Sequence, residues 1–290
     1  MRDNQASFTA AFVALCRGLG DGLPADAQLV ADPFGARFAT GALALAAGPL
    51  SPLFARVART FVVYMQVRTR SIDDVVRAFV AEGGEQLLIL GAGFDCRAKR
   101  MAELSRVRVF EVDHPATQAR KRAVLGDAHD SPITYVAWDF EGRPVRELPS
   151  ALTALGHDRH RRTLTIWEGV TMYLSEPAID ATVAAVGELS APGSPLVFNY
   201  LDASCFETPS ALDKIMTALV ARVGEPFTFG WQANALPAWL QTRGFDVQWN
   251  KSLSALADEL LLASKARAWL TEHGRFTVLA RRTTTAHARG

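Results

Sequence analysis

Four consecutive aliphatic residues, Leu87-Leu88-Ile89-Leu90, run directly into Gly91-Ala92-Gly93. A strand that is apolar on both sides has to be covered on both faces, the situation of a central strand in a parallel sheet packed between helices. The glycines that follow let the backbone turn tightly and let a ligand approach it closely. From this point the chain alternates. Val107–Val112, Ile133–Ala137, Leu164–Trp167 and Pro195–Tyr200 read as strands two to five, and Phe245–Trp249 and Phe276–Ala280 as two late strands. Helical patterns lie between several of them, for example Thr117–Leu125 and Pro177–Leu189. The expectation is an α/β fold with a mostly parallel seven-stranded sheet and helices on both faces. Its ligand crevice lies beyond the carboxyl ends of the strands, beside the first strand.

Residues 6–80 have a different texture, mostly helical and broken at Gly20-Asp21-Gly22 and at Gly48-Pro49. The expected organisation is therefore a helical lid region over 1–80 and an α/β domain over 81–290, with an insertion at about 202–231. That insertion, from Asp202 to Trp231, either closes over the site with the N-terminal helices or only packs on the sheet. Trp138, Trp231 and Trp239 are each open between core and pocket.

The charge balance excludes some functions. Lys plus Arg is 31 and Asp plus Glu is 30, a net +1, without the basic excess that nucleic acid or an anionic membrane surface selects. No stretch reaches the roughly 18 apolar residues of a membrane span. Three widely spaced cysteines, Cys16, Cys96 and Cys205, support neither a disulfide framework nor a zinc site, which fits a reducing cytoplasm.

The strand ends carry the chemistry. A dinucleotide fingerprint would place its third glycine at position 96, where this chain has Cys96. That glycine lets a helix start close beneath a pyrophosphate, so its absence favours a ligand without one. Strand two ends in Glu111-Val112-Asp113. Both acids share a face, and Asp113 is nearer the carboxyl end, where an acid accepts from the two ribose hydroxyls of an adenosine. Asp139 and Phe140, after strand three, suit the amino group and one face of an adenine. Glu168 follows strand four. Several carboxylates and few phosphate-binding groups suit a cationic, phosphate-free cofactor, and S-adenosylmethionine, a sulfonium, is one.

Three segments, Leu90 to Arg100 (LGAGFDCRAKR), Phe110 to Pro115 (FEVDHP) and Glu168 to Leu174 (EGVTMYL), resemble the leucine carboxyl methyltransferase family. The chain is most similar to its bacterial branch of S-adenosylmethionine-dependent O-methyltransferases linked to polyketide biosynthesis. Arg68 to Asp74 (RTRSIDD) and Gly224 to Gly230 (GEPFTFG) agree with it, and the likeness runs from about Asp32-Pro33 onward. The resemblance implies a class I methyltransferase fold with S-adenosylmethionine as cofactor. Gly91, Ala92 and Gly93 would line its methionine part, Asp113 would hold the ribose, Asp139 and Phe140 would flank the adenine, and Glu168 would lie near the amino group. Arg68 matches the arginine that pairs with the cofactor carboxylate. Cys96 departs from the threonine often found there, which bears on a helix-capping bond.

On the acceptor side, Tyr173 and Tyr200 either contact the acceptor or pack in the core. Arg70 either anchors an acidic substrate or pairs with Asp73 or Asp74. His114 starts a helix before Pro115, and His157 and His160 fall in a solvated loop, Gly156 to Arg162. With no evident histidine base, a carboxylate acceptor, ionised at neutral pH, is favoured over a hydroxyl. The expected partner is thus a small molecule bearing a carboxylate. A hydroxyl acceptor of polyketide type, a nicotinamide-dependent dehydrogenase and a cofactor-binding module without turnover are the rivals.

Overall fold

The computed structural model describes residues 7–39, 52–126, 133–140, 142–209, 214, 217, 221, 225–270 and 274–284, with backbone alone at 52–58. Helix α1 (Phe8–Gly18) and the long helix α2 (Pro52–Ala81) precede β1 (Gln86–Leu90). Then come β2 (Arg108–Asp113), α3 (Pro115–Leu125), β3 (Ile133–Ala137), α4 (Leu148–Ala154), β4 (Thr163–Trp167) and α5 (Glu176–Leu189). The chain ends with β5 (Pro195–Leu201), α6 (Leu236–Gln241), β6 (Phe245–Ser252), α7 (Leu253–Leu260) and β7 (Arg275–Arg282). The strands form one seven-stranded sheet in the order β3-β2-β1-β4-β5-β7-β6. The first five are parallel, while β7 runs antiparallel to both β5 and β6.

The alternation along β1 explains its unbroken apolar sequence. Leu88 and Leu90 point into a core with Phe110, Val112, Trp167 and Phe198 from neighbouring strands and Ile179, Val183 and Val186 from α5. Leu87 and Ile89 point the other way, against Ile72, Val76 and Phe79 of α2. Helices thus cover both faces, as expected for a parallel sheet. Helix α2 belongs to the sheet's packing as much as to the N-terminal helices, since its earlier half packs with Cys16, Leu253 and Leu256. The Gly48-Pro49 break and the alanine-rich run after Ala39 lie outside the described residues.

Strand order reverses at β1, whose neighbours are β2 on one side and β4 on the other. The crevice expected at such a switch point opens there. Gly91 makes the turn possible. Its φ is +63°, and a Cβ on it would stand 2.4 Å from Cγ2 of Val170.

The three tryptophans resolve to packing. Trp138 and Trp231 are buried and Trp239 is partly buried in the same core, with the Arg143 guanidinium 3.8 Å above the Trp138 ring. The loop reading of His157 needs correction. The residue is 2% exposed, its Nε2 lies 3.1 Å from Thr163 Oγ1, and its ring sits edge-on to Phe110. Leu152, a core residue of α4, accepts the His157 backbone N–H and draws the turn inward.

Burial pushes the His157 imidazole down to about 4, against help from Asp158. The unfolded chain takes up a proton near the ordinary value of 6.5 and the folded chain does not, so stability is full above 6.5 and declines as pH falls toward 4. The loss should be on the order of 3 kcal/mol. Urea unfolding of wild type and His157→Leu at pH 7, 5 and 4 measures it. The same acid loss in both proteins would refute this role for His157.

Candidate active site

A cavity of about 480 Å³ opens at the carboxyl ends of β1, β2 and β4, a size ordinary for a small-molecule site, about 300–1,000 Å³. Its floor is the Gly91-Ala92-Gly93 turn, and Asp113, Phe140 and Glu168 line it from the ends of β2, β3 and β4. Arg68, from the middle of α2, and Arg17, from α1, enter from the helical side. Tyr173 and the segment Glu225-Pro226-Phe227-Thr228 close the far wall. That segment is held by the Thr228 N–H donating to the Met172 carbonyl at 2.7 Å and by the Tyr173 and Phe227 rings, 5.4 Å apart.

Two buried ionic clusters support this lining. Glu168 accepts from Arg68 Nε at 2.8 Å through one oxygen and from Arg97 Nη1 at 2.7 Å through the other. Arg97 also donates to Asp73 of α2 at 2.8 Å and pairs with Asp95, and Arg100 donates to both oxygens of Asp73. Burial would raise the Glu168 carboxyl, but Arg97 and Arg68 outweigh it and hold it at about 2. In the second cluster Glu111 accepts from Lys121 Nζ at 2.6 Å, both side chains 1% exposed. Beside it, Asp113 accepts backbone N–H groups from Gly93 and His114. Burial raises the Asp113 carboxyl, and the two backbone N–H groups oppose that rise.

Helix α1 is tied down over the turn. Ser7 caps it by accepting from the Ala10 N–H at 3.0 Å. Arg17 donates to Asp32 at 2.8 Å and to the Phe94 carbonyl at 2.6 Å, and the Phe94 ring stacks on Phe38 at 4.3 Å. Cys96 heads the short helical turn Arg97–Arg100 without a side-chain cap. Its thiol is directed at the Phe94 carbonyl 3.6 Å away, and burial pushes it up to about 12.

Of the residues singled out in the sequence, Arg68, Gly91, Ala92, Gly93, Asp113, Phe140, Glu168 and Tyr173 come together around this one cavity. Three do not. Asp139 is half-buried after β3, outside the lining. Tyr200 is 1% exposed in the aromatic core, stacked on Phe276 and donating to Asn250 Oδ1 at 2.9 Å. Arg70 pairs with Asp74 one helical turn on, at 2.8 Å, on a partly exposed face of α2. Arg68 and Glu168, expected at opposite ends of a bound amino acid, are here paired with each other. Arg17, Tyr64 and Arg275 also line the cavity, and nothing in their sequence spacing marks them. Arg97 and Asp95 stood inside the glycine-turn motif, where their pairing could have been sought. Among the described residues no group of three or more His, Cys, Asp or Glu side chains is placed to hold a metal, and no helix is long and apolar enough to cross a membrane.

The leucine carboxyl methyltransferase family profile matches residues 10–187. The chain belongs to that family. A Streptomyces coelicolor protein provisionally named as an S-adenosyl-L-methionine-dependent methyltransferase is 44% identical over 132 residues, 44% of this chain and 45% of that protein. A second S. coelicolor protein, named likewise, is 36% identical over 208 residues, 66% of this chain and 64% of that protein. The match thus spans about half to two thirds of these relatives' length. Among solved structures, a DUF574 family protein from Streptomyces avermitilis aligns over 97% of this chain and 99% of that one, at 15% identity and a TM-score of 0.62. A Thermobifida fusca structure, provisionally titled a methyltransferase, aligns over 97% of both chains at 19% identity and a TM-score of 0.54. These two share the Rossmann-like α/β fold of this family member.

Removing Arg97 leaves three carboxylates short of a partner, and breaking a buried ion pair costs about 3–5 kcal/mol. Arg97→Met should show that loss in urea unfolding. Arg97→Lys should recover only part of it, because an ammonium cannot present the planar fork that serves three acids at once. Full recovery by lysine would count against the multidentate role.

Proposed function

We propose that this family member is an S-adenosylmethionine-dependent O-methyltransferase acting on a carboxylate of a small molecule. One observation carries the reading: a single cavity gathers a glycine turn, Asp113 and Glu168 from the ends of adjacent strands, with Arg68 of α2 paired to Glu168. This donor set suits a zwitterionic, phosphate-free adenosine derivative. The glycines leave room against Val170 and Ala10 that a Cβ would take. The family's name and those of the curated relatives support the same chemistry.

In this reading the chain's residues hold and orient. Arg68 engages a carboxylate and Glu168 an ammonium, each while keeping part of the pair they form together. Their charge-assisted bonds are the strong kind. Asp113 has lone pairs left beyond its two backbone donors for ribose hydroxyls. Phe140 offers a face to the adenine. Helix α1 and the Glu225–Thr228 segment act as the cover that keeps water out. When bound, S-adenosylmethionine supplies an activated methyl group on a sulfonium. The protein's task is then to hold the acceptor oxygen in line with the methyl carbon at near-attack distance, about 3–3.5 Å. The bond formed is acceptor O–C and the bond broken is C–S, leaving a neutral thioether. A carboxylate acceptor has no proton to lose, so the step needs no base. Tyr173, held un-ionised by burial, is suited to contact the acceptor and not to deprotonate it. A hydroxyl acceptor is the second reading, and it would require a base, for which the described lining holds no histidine and only carboxylates such as Glu225.

Two measurements test this. Isothermal titration with S-adenosylhomocysteine should show binding to wild type and at least about a tenfold loss in Asp113→Ala, since ribose recognition by one carboxylate rests on charge-assisted bonds. Unchanged binding would remove the cofactor assignment. Incubation with deuteromethyl-labelled S-adenosylmethionine and a small-molecule extract, followed by mass spectrometry before and after mild alkali, separates the acceptors. A label lost in alkali is a carboxyl ester, and an alkali-stable label is an ether or an N- or C-methyl group.

A further inference from the structure

Four carboxylates and three guanidiniums line the cavity, and nearly all are engaged with one another or with the backbone. Asp95 pairs with Arg97, and Glu168 with Arg68 and Arg97. Asp113 accepts the N–H groups of Gly93 and His114. Arg17 is bound to Asp32 and the Phe94 carbonyl. Arg275, which with Leu201 makes the β5–β7 wall, has contacts of its own. Glu225 is the exception. It is half-buried on the covering segment, and among the described residues none donates a hydrogen bond to it or forms an ion pair with it. The cavity therefore presents one uncompensated negative charge, on the wall that faces the strand ends.

The surroundings of Glu225 narrow what can answer that charge. Phe227, two residues on, lies 5.4 Å from the Tyr173 ring, the two planes at 41°. Burial and then the Glu225 charge push the Tyr173 phenol up, so the phenol stays neutral beside the carboxylate and its ring remains an uncharged π-face. Aromatic faces attract a cation electrostatically. A carboxylate partly withdrawn from water binds an ammonium through charge-assisted hydrogen bonds, stronger than those to a neutral donor. A carboxylate flanked by neutral rings is thus a donor set for a protonated amine, and it repels an anion that brings no cation with it. The cofactor does not meet this demand, since its ammonium goes to Glu168 and its ribose to Asp113, both at the strand ends.

We propose that Glu225, with the Tyr173 and Phe227 rings, forms a subsite for a protonated amine of the acceptor. The substrate class is then an amine-bearing molecule, and where its reacting group is a carboxylate, a zwitterion of amino-acid type. Giving Glu225 to the acceptor and not to the cofactor rests on the cofactor reading above.

The test titrates 2-(naphthalen-2-yl)ethylamine, 2-(naphthalen-2-yl)ethanol and 2-naphthylacetate at pH 7 into full-length protein saturated with S-adenosylhomocysteine. The three probes carry a positive charge, no charge and a negative charge on nearly the same body. Wild type should bind the amine at least about tenfold more tightly than the alcohol, the size expected for one charge-assisted contact, and the acetate more weakly still. In Glu225→Gln the preference for the amine should vanish while S-adenosylhomocysteine binds as before. Glu225→Ala gives the same readout if the glutamine variant does not fold. Binding of the alcohol or the acetate as tightly as the amine by wild type, an amine preference that survives in either variant, or no binding of any of the three probes overturns the proposal. So does weakened binding of S-adenosylhomocysteine in both variants, which would give Glu225 to the cofactor. Failure of wild type to bind S-adenosylhomocysteine is a different failure, that of the cofactor reading. The probes titrated into wild type and Glu225→Gln alone would then still decide whether Glu225 reads an ammonium.

Discussion

The contact that everything around the cavity depends on is the guanidinium of Arg97. It is almost wholly buried, and it joins Asp73 of α2, Asp95 of the glycine turn and Glu168 at the end of β4. Three segments distant in sequence are fixed by one planar group. Burying a cation costs several kcal/mol and is repaid only by close, well-aligned acids, so the arrangement cannot relax by degrees. Glu168 then presents Arg68, and the long helix α2, which also packs on the sheet through Ile72, Val76 and Phe79, becomes part of the site and not only a cover for it.

The same logic explains why so many charges lie inside an otherwise apolar interior. Arg17 with Asp32, and Lys121 with Glu111, each tie a helix to a loop or strand beside the cavity. Asp32 also accepts from the backbone N–H groups of Phe34 and Gly35, so the pair orders a connecting segment that has little regular structure. Such pairs add little net stability over apolar packing, but they admit few alternative geometries. For a site that must hold several polar groups of one ligand in register, that restriction is worth more than extra cohesion.

Much of this was legible in the sequence. The aliphatic run at Leu87–Leu90 and the acids after β2 and β4 gave away the sheet, its central strand and the cavity-lining Asp113 and Glu168, because those signals are local: period, turn chemistry and chain position. Strand bounds were off by a residue or two, and by three only at the end of β6, where antiparallel pairing extends the strand beyond its apolar middle. Tyr200 illustrates what was not legible. A strand-end tyrosine suits a pocket or a core equally well, and only the stack with Phe276 and the bond to Asn250 decide it. Arg70 likewise depends on whether Asp74, one turn on, is the nearer acid. His157 looked solvated because its neighbours are charged, yet one backbone hydrogen bond to Leu152 turns it inward. Arg275 carried no signal at all, since its place follows from which strand pairs with β5.

That pairing has a consequence for how the chain is made. Strand β7 is made last of the seven strands, yet it sits inside the sheet, between β5 and β6. Until residues 275–282 have emerged, the fully buried strand β5 has one open edge of unpaired backbone groups, and β6 has no partner at all. The nascent protein must therefore wait with a fully buried strand half-covered, a state prone to pairing with the wrong neighbour. Completion of the sheet and completion of the β5–β7 wall of the cavity are then one event.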